Sequence, residues 1–380
     1  MTPGARISAA IEVLDAILAG RPAEQALLRW SRASRYAGSG DRAAVRDLVF
    51  TALRRRNSHA ALGGALTGRG LMIGGLREAG HDLAALFTGQ GHAPAPLVPG
   101  EGSGSAADLC DLPDWLRPLW DRSLGDRAGA VAAVMRDRAP VWLRVNTLKA
   151  TSQTVIAGLA ADAIAAAPHG CLETALEVLE NERRLSRSPV YCNGLVELQD
   201  LSPQLACAAL PIRPGMRILD YCAGGGGKTL AIAPRASGLT MVAHDADPAR
   251  MADLPVRARR AGAQVQVTAA PSGAFDLVVA DVPCSGSGTW RRTPDSKWRL
   301  TPTSLGDLTA LQSAILRRAA RHVGRGGHLA YMTCSVLDVE NDDQIAEFLD
   351  DVPDFSPVSR YLWTPLDAGD GFFLALMERR

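Results

Sequence analysis

Arg217-Ile218-Leu219-Asp220-Tyr221-Cys222-Ala223-Gly224-Gly225-Gly226-Gly227-Lys228-Thr229 reads as a short apolar strand that ends in an acid, turns through four glycines and enters a helix. Glycines permit tight turns and a close approach of backbone to ligand. Two phosphate-binding patterns fail on this stretch. A G-x-x-x-x-G-K-[ST] loop needs glycine six residues before Lys228, where Cys222 stands. A G-x-G-x-x-G fingerprint needs its third glycine where Thr229 stands.

Downstream, apolar runs alternate with helical stretches. Strands are predicted at Arg217–Asp220, Met241–His244, Leu277–Ala280 and Leu329–Met332, with a further apolar run at Phe372–Met377. Strands alternating with helices imply a parallel, doubly wound sheet. Such sheets take ligands at the carboxyl ends of their strands. Those ends carry Asp220-Tyr221-Cys222, Asp245, Asp281-Val282-Pro283-Cys284 and Thr333-Cys334-Ser335. An acid closing a strand before a glycine turn suits a nucleoside without phosphates, such as S-adenosylmethionine. Asp245, at the next strand end, is then placed to accept both ribose hydroxyls.

Upstream the text changes. Helical spacing (Ile7, Ile11, Leu14, Leu18; Val45, Leu48, Val49, Ala52) predicts a helical domain over residues 1–88, with Ser39 or Asp41 capping a helix after Gly38. A Gly/Pro/Ala/Ser-rich linker over 89–112 follows, then a small α/β subdomain over 113–200 with a strand at Val141–Val145. Residues 201–380 hold the doubly wound domain.

The chain of 380 residues, 47% apolar and 21% charged, has enough apolar material for such cores and is not a low-hydrophobicity disordered chain. No run of about 18 apolar residues offers a membrane span, and Glu12 and Asp15 interrupt any signal-peptide core. Seven scattered cysteines, an odd number, do not read as a disulfide framework. A monomeric cytoplasmic protein is expected, with no membrane partner and no metal site. The net charge of +1 argues against a uniformly basic binder, yet eight arginines against two acids lie between Arg29 and Arg56, Arg42 and Arg46 among them. Such an excess suits phosphate contacts or a merely solvated helix face. Lysine is scarce: Lys149, Lys228 and Lys297 are the only three.

Cys110, Cys171, Cys192 and Cys207 are expected to be small buried hydrophobes. Cys284 and Cys334, each following a strand, invite a chemical reading. Carbon 5 of a cytosine is a poor nucleophile. A thiolate adding to carbon 6 makes the ring an enamine and activates carbon 5. The thiol must ionise, an acid near ring nitrogen 3 stabilises the developing charge, and a base must remove the carbon-5 proton before release. Two thiols with Asp281 between them meet these needs.

Further segments complete a pattern: Leu143-Arg144-Val145-Asn146-Thr147-Leu148-Lys149, Gly194-Leu195-Val196-Glu197-Leu198-Gln199-Asp200, Arg292-Thr293-Pro294-Asp295-Ser296-Lys297-Trp298, Glu340-Asn341 and Asp370-Gly371-Phe372-Phe373. With the Asp-x-Pro-Cys and Thr-Cys-Ser strand ends, they resemble the RNA cytosine-5 methyltransferase family in its RsmB/Sun-like branch. The resemblance implies a Rossmann-like class I methyltransferase domain that acts on RNA, 16S ribosomal RNA first. It implies Cys334 as nucleophile, Cys284 as the thiol that expels the product, and Asp281 against the target base and cofactor. Cys222, Ala223, Gly224, Gly225, Gly226, Gly227 and Lys228 would form the S-adenosylmethionine loop, with Asp245 on the ribose. Arg144, Asn146 and Lys297 are carried over as RNA contacts. Residues Gly40–Val49, with Arg42 and Arg46, resemble the NusB-like RNA-binding domain of this branch. Transfer RNA as substrate, a non-catalytic RNA-binding assembly factor and a DNA cytosine methyltransferase are the rival readings. Two departures stand out: Gly225 replaces the loop's usual proline, and Val265–Ala270 lacks the family's third cofactor carboxylate.

Overall fold

The computed structural model describes residues 1–105, 110–367 and 369–380; residues 106–109 of the expected linker lie outside them. Contacts divide the chain into two compact units. One holds Met1–Asp121, Gly125–Arg138 and Trp290–Thr301; the other holds Arg122–Leu124, Ala139–Thr289 and Pro302–Arg380.

The first unit is helical. Helices α1 (Pro3–Leu18), α2 (Ala23–Ala33), α3 (Ser39–Arg54), α4 (Arg56–Gly63) and α5 (Gly68–Glu78) bury Ile7, Val13, Leu14, Trp30, Val45, Val49, Leu53, Leu71 and Ile73 in one core. Thr2 caps α1 by accepting the Ala5 amide, with Pro3 at the first turn. The cap of α3 is Gly38 rather than Ser39 or Asp41; Asp41, three residues into the helix, reaches back to the Gly38 amide at 3.2 Å. Helices α4 and α5 pack backbone to backbone: a Cβ at Gly74 would stand 2.0 Å from the His59 carbonyl oxygen. The described part of the expected linker has no helix or strand, yet it is tied down. Arg69 donates to the carbonyls of Ala95 and Pro96, and Asn57 to those of Cys110 and Leu112.

The second unit contains two sheets. In the smaller, β1 (Val141–Val145), β2 (Ala165–His169), β3 (Leu172–Glu180) and β4 (Val196–Leu198) run antiparallel in the order β2-β3-β1-β4, and the helix Ser152–Ala161 adds Val155 and Leu159 to its core. The larger sheet contains β5 (Arg217–Asp220), β6 (Thr240–Ala243), β7 (Gln266–Val267), β8 (Phe275–Asp281), β9 (Val323–Thr333), β10 (Phe355–Trp363) and β11 (Phe372–Arg379), in the order β10-β11-β9-β8-β5-β6-β7. Strands β5 to β9 are parallel, while β11 and β10 each pair antiparallel to their neighbour. The order reverses beside β5, which pairs with β6 on one side and β8 on the other. Ligands bind at such a switch point, outside the carboxyl strand ends. Among the described residues no helix is long and apolar enough to cross a membrane.

Candidate active site

Asp220 closes β5 almost fully buried, and one carboxylate oxygen accepts the Thr229 hydroxyl at 2.6 Å. Strand end and following helix are thereby tied across the glycine turn. Gly224 and Gly226 adopt φ of 48° and 81°, the left-handed region that disfavours other residues. A Cβ at Gly226 would come within 2.2 Å of Leu254 Cδ1. The turn is also bonded to the end of β6: the Ala223 amide donates to the His244 carbonyl, and the Gly224 amide to Asp245 Oδ2 at 3.0 Å. Asp245 is buried, and its second oxygen accepts the Asp247 amide. Arg250 Nη1 lies 3.3 Å from Oδ2, a partner that sequence reasoning missed. Beyond β7, where an acid was lacking, Thr268 bonds only locally through its hydroxyl, to Ala270.

At the end of β8, Asp281 forms an ion pair with Lys228. The Lys228 ammonium also lies 5.3 Å from the centre of the Phe372 ring. Burial works against that ammonium, but Asp281, by charge and hydrogen bond, outweighs it and raises the group above the ordinary lysine range; Cys334 acts in the same sense. Just beyond, Cys284 Sγ and Cys334 Sγ stand 3.2 Å apart as free thiols. Two loops fifty residues apart meet there because each is pinned. The Gly288 amide donates to the Cys334 carbonyl, and the Val282 amide to that of Met332. Thr333 donates to Asn341 Oδ1 at 2.6 Å, while Asn341 Nδ2 donates to the Ser335 carbonyl. The hydrogen bond to Cys334 and burial push the Cys284 thiol well up. The loop thiol of Cys222 is raised too, by burial and by Asp220, Asp281 and Asp245; such a thiol stays protonated and is no nucleophile.

The remaining cysteines split, and Cys110 is half-buried rather than buried. Cys207 is buried and raised to about 11 by burial, whereas Cys171 and Cys192 are exposed rather than buried.

The expected RNA contacts divide likewise. Arg42 is exposed; Arg46 is exposed but pairs with Glu24 at 2.6 Å. Arg144 is buried and gives Nη1 to Gln199 Oε1 and to the Gly227 carbonyl, so it braces the glycine turn. Buried Asn146 donates to the carbonyls of Gly194 and Ala261. Lys297 is 2% exposed, with Nζ on the carbonyls of Arg54 and Asp111. All three side chains are buried, and the bonds of Arg144 Nη1, Asn146 Nδ2 and Lys297 Nζ run to partners within the protein.

The residues present suit S-adenosylmethionine. The glycine turn makes a cradle that a Cβ would fill, two carboxylates flank it at Asp245 and Asp281, and one oxygen of buried Asp220 has no protein partner. The larger sheet and its strand-end site are those of a Rossmann-like methyltransferase. A crystal structure of a methyltransferase homolog protein from Pyrococcus horikoshii shares the fold with a TM-score of 0.60, at 23% identity over 69% of this chain and 94% of that one. The model of the 16S rRNA methyltransferase RsmB/F family matches residues 207–377, and that of its ferredoxin-like domain matches 112–184. Ribosomal RNA small subunit methyltransferase B of Sodalis glossinidius is 36% identical over 70% of this chain and 65% of its own length. The protein of that name from Xanthomonas campestris pv. campestris is 32% identical over 73% of this chain and 68% of its own length. The chain therefore belongs to the RsmB/F methyltransferase family, and its match spans about two thirds of these relatives.

Proposed function

We propose that this protein methylates carbon 5 of a cytosine in 16S ribosomal RNA, with S-adenosylmethionine as donor. The relatives' names support the substrate class. The observation that carries the chemistry is the pair of thiol sulfurs 3.2 Å apart, at strand ends beside the Lys228–Asp281 pair and the glycine turn.

Bound in the cradle, S-adenosylmethionine supplies the methyl group as an electrophile. Cys334 adds as a thiolate to carbon 6, forming an S–C bond and turning the ring into an enamine whose carbon 5 is nucleophilic. Lys228 and Asp281 serve as the counterpart for charge that develops on the ring's polar edge. After transfer a base removes the carbon-5 proton, and the S–C bond breaks with its electron pair returning to Cys334. Cys284, protonated, assists that departure. The target base must leave its stack to expose both faces, so a loop or single strand is the form of RNA that fits. The helical unit, with exposed Arg29, Arg32, Arg35 and Arg42, offers phosphate contacts.

The test is tritiated methyl transfer to small-subunit RNA. Cys334→Ala is expected to abolish transfer, and full activity in that variant refutes the nucleophile. Cys284→Ala is expected to accumulate a denaturation-resistant protein–RNA adduct, and free turnover contradicts its role in release.

A further inference from the structure

Glu340 is fully buried at the end of the short turn Asp338–Glu340. Its Oε1 accepts the Ser285 amide at 2.8 Å and Gln312 Nε2 at 2.9 Å; its Oε2 accepts the hydroxyls of Ser285 and Ser335, each at 2.5 Å. Ser285 follows Cys284 and Ser335 follows Cys334, so one carboxylate holds both thiol loops a residue away from each sulfur. All four bonds come from neutral donors. A buried charge without a cation is costly, and a neutral amide would serve a purely mechanical clamp.

The surroundings are lopsided. On the Cys284 side stand the carboxylate and Tyr331, whose hydroxyl donates to the Glu340 carbonyl at 2.7 Å. The hydrogen bond to Cys334 and burial, then the charges of Cys334 and Glu340, all push the Cys284 thiol up; burial, Cys284 and Glu340 push the Tyr331 phenol the same way. The Lys228 ammonium, paired with Asp281, is raised in part by the charge of Cys334. The carboxylate takes two bonds from Ser285, beside Cys284, and one from Ser335, beside Cys334.

We propose that Glu340 is a positioning residue: its carboxylate clamps the Cys284 and Cys334 loops in register, and its charge keeps the shared proton on Cys284, leaving Cys334 as the sulfur that ionises. The assignment rests on the two-cysteine reaction proposed above, but it is tested on the free protein. Glu340→Gln preserves shape and all four bonds, because serine hydroxyls can turn from donating to accepting; only the charge is lost. Initial rates of iodoacetamide alkylation, followed against pH and resolved by peptide mass, read each thiol separately. In the unaltered protein Cys334 is expected to react at lower pH than Cys284. In Glu340→Gln the Cys284 profile is expected to move down by about one pH unit, or about tenfold in rate at a fixed pH below its midpoint. Glu340→Asp, which keeps the charge, should stay with the unaltered protein. An unmoved Cys284 profile in Glu340→Gln overturns the inference, as does Cys284 reacting ahead of Cys334. The latter comparison decides even if the glutamine variant does not fold. Methyl transfer is assayed in parallel: alkylation as expected without methyl transfer to RNA refutes the reaction and not the electrostatic role.

Discussion

Asp220 shows how far a strand-end acid departs from its ordinary chemistry. Burial pushes its carboxyl up to about 6 from 3.8, against the hydrogen bond from Thr229, which lowers it. Between those values the folded state holds a proton that the unfolded chain has released, so this group's contribution falls as pH rises from about 4 to about 6 and then levels off. The full difference is roughly 2–3 kcal/mol of destabilisation at neutral pH. Asparagine can accept the same bond from Thr229 without the charge. Asp220→Asn is therefore expected to melt several degrees above the unaltered protein at pH 7.5, with the gap narrowing to about a third at pH 4.5. Thermal unfolding of both proteins at the two pH values checks it, and an equal gap at both removes the argument. Asp220 was legible as a strand end because four apolar runs end in reactive residues. Its burial was not, since nothing in a local pattern says how deeply a sheet is covered.

Among the elements, β1 does a task that its sequence did not reveal. Arg144-Val145-Asn146 matched an RNA-contact segment, but the partners of Arg144 and Asn146 lie 83 and 115 residues away at Gly227 and Ala261. No spacing rule finds such partners. What the donors do follows from where they end: Arg144 and Gln199 both bond the Gly227 carbonyl, at 3.0 and 3.3 Å, at the first residue of the helix behind the glycine turn. Removing the guanidinium leaves the weaker amide contact alone and loosens the cradle. Arg144→Ala is expected to weaken S-adenosylmethionine binding about tenfold, the cost of one charge-assisted hydrogen bond, and to change affinity for RNA little. Calorimetry with the cofactor and filter binding with RNA separate the two; equal loss in both returns Arg144 to the RNA surface. Among the strands of the larger sheet, β7 and β10 went unread for different reasons. The first is two exposed residues, Gln266 and Val267. The second is an edge strand interrupted by Pro357 and a register shift beside it, so it lacks the alternation that marks a half-buried strand.

At the scale of the whole chain, composition misled where topology decides. Fifty residues separate Cys284 from Cys334, and only the adjacency of β8 and β9 brings their sulfurs together. The scarcity of lysine was a good pointer to built positions, though not to what is built there. Lys149 and Lys297 donate to backbone carbonyls, and only Lys228 pairs with a strand-end carboxylate of the candidate site. Lys297 belongs to Trp290–Thr301, a segment that leaves the larger sheet's unit and packs with the helices. There Trp290, 1% exposed, stacks on Trp120 at 6.0 Å. Trp298 donates to the Leu53 carbonyl at 2.7 Å under the Arg56 guanidinium, and Arg54 donates to the Arg291 carbonyl at 2.6 Å. Burial brings Lys297 down to about 7. A fragment of residues 139–380 would keep the sheet and both thiols but strip every one of these partners from the segment. Each exposed tryptophan forfeits roughly 200 Å² of burial, about 5 kcal/mol at 25 cal/mol per Å², more than a local turn can offset. The fragment is expected to be cut by trypsin after Lys297 at least about tenfold faster than the whole chain, a rate set by the population of the open segment, and to self-associate through it. Equal cleavage rates in fragment and whole chain would show that the segment holds its shape without the helices, and that its lysine is buried for some other reason.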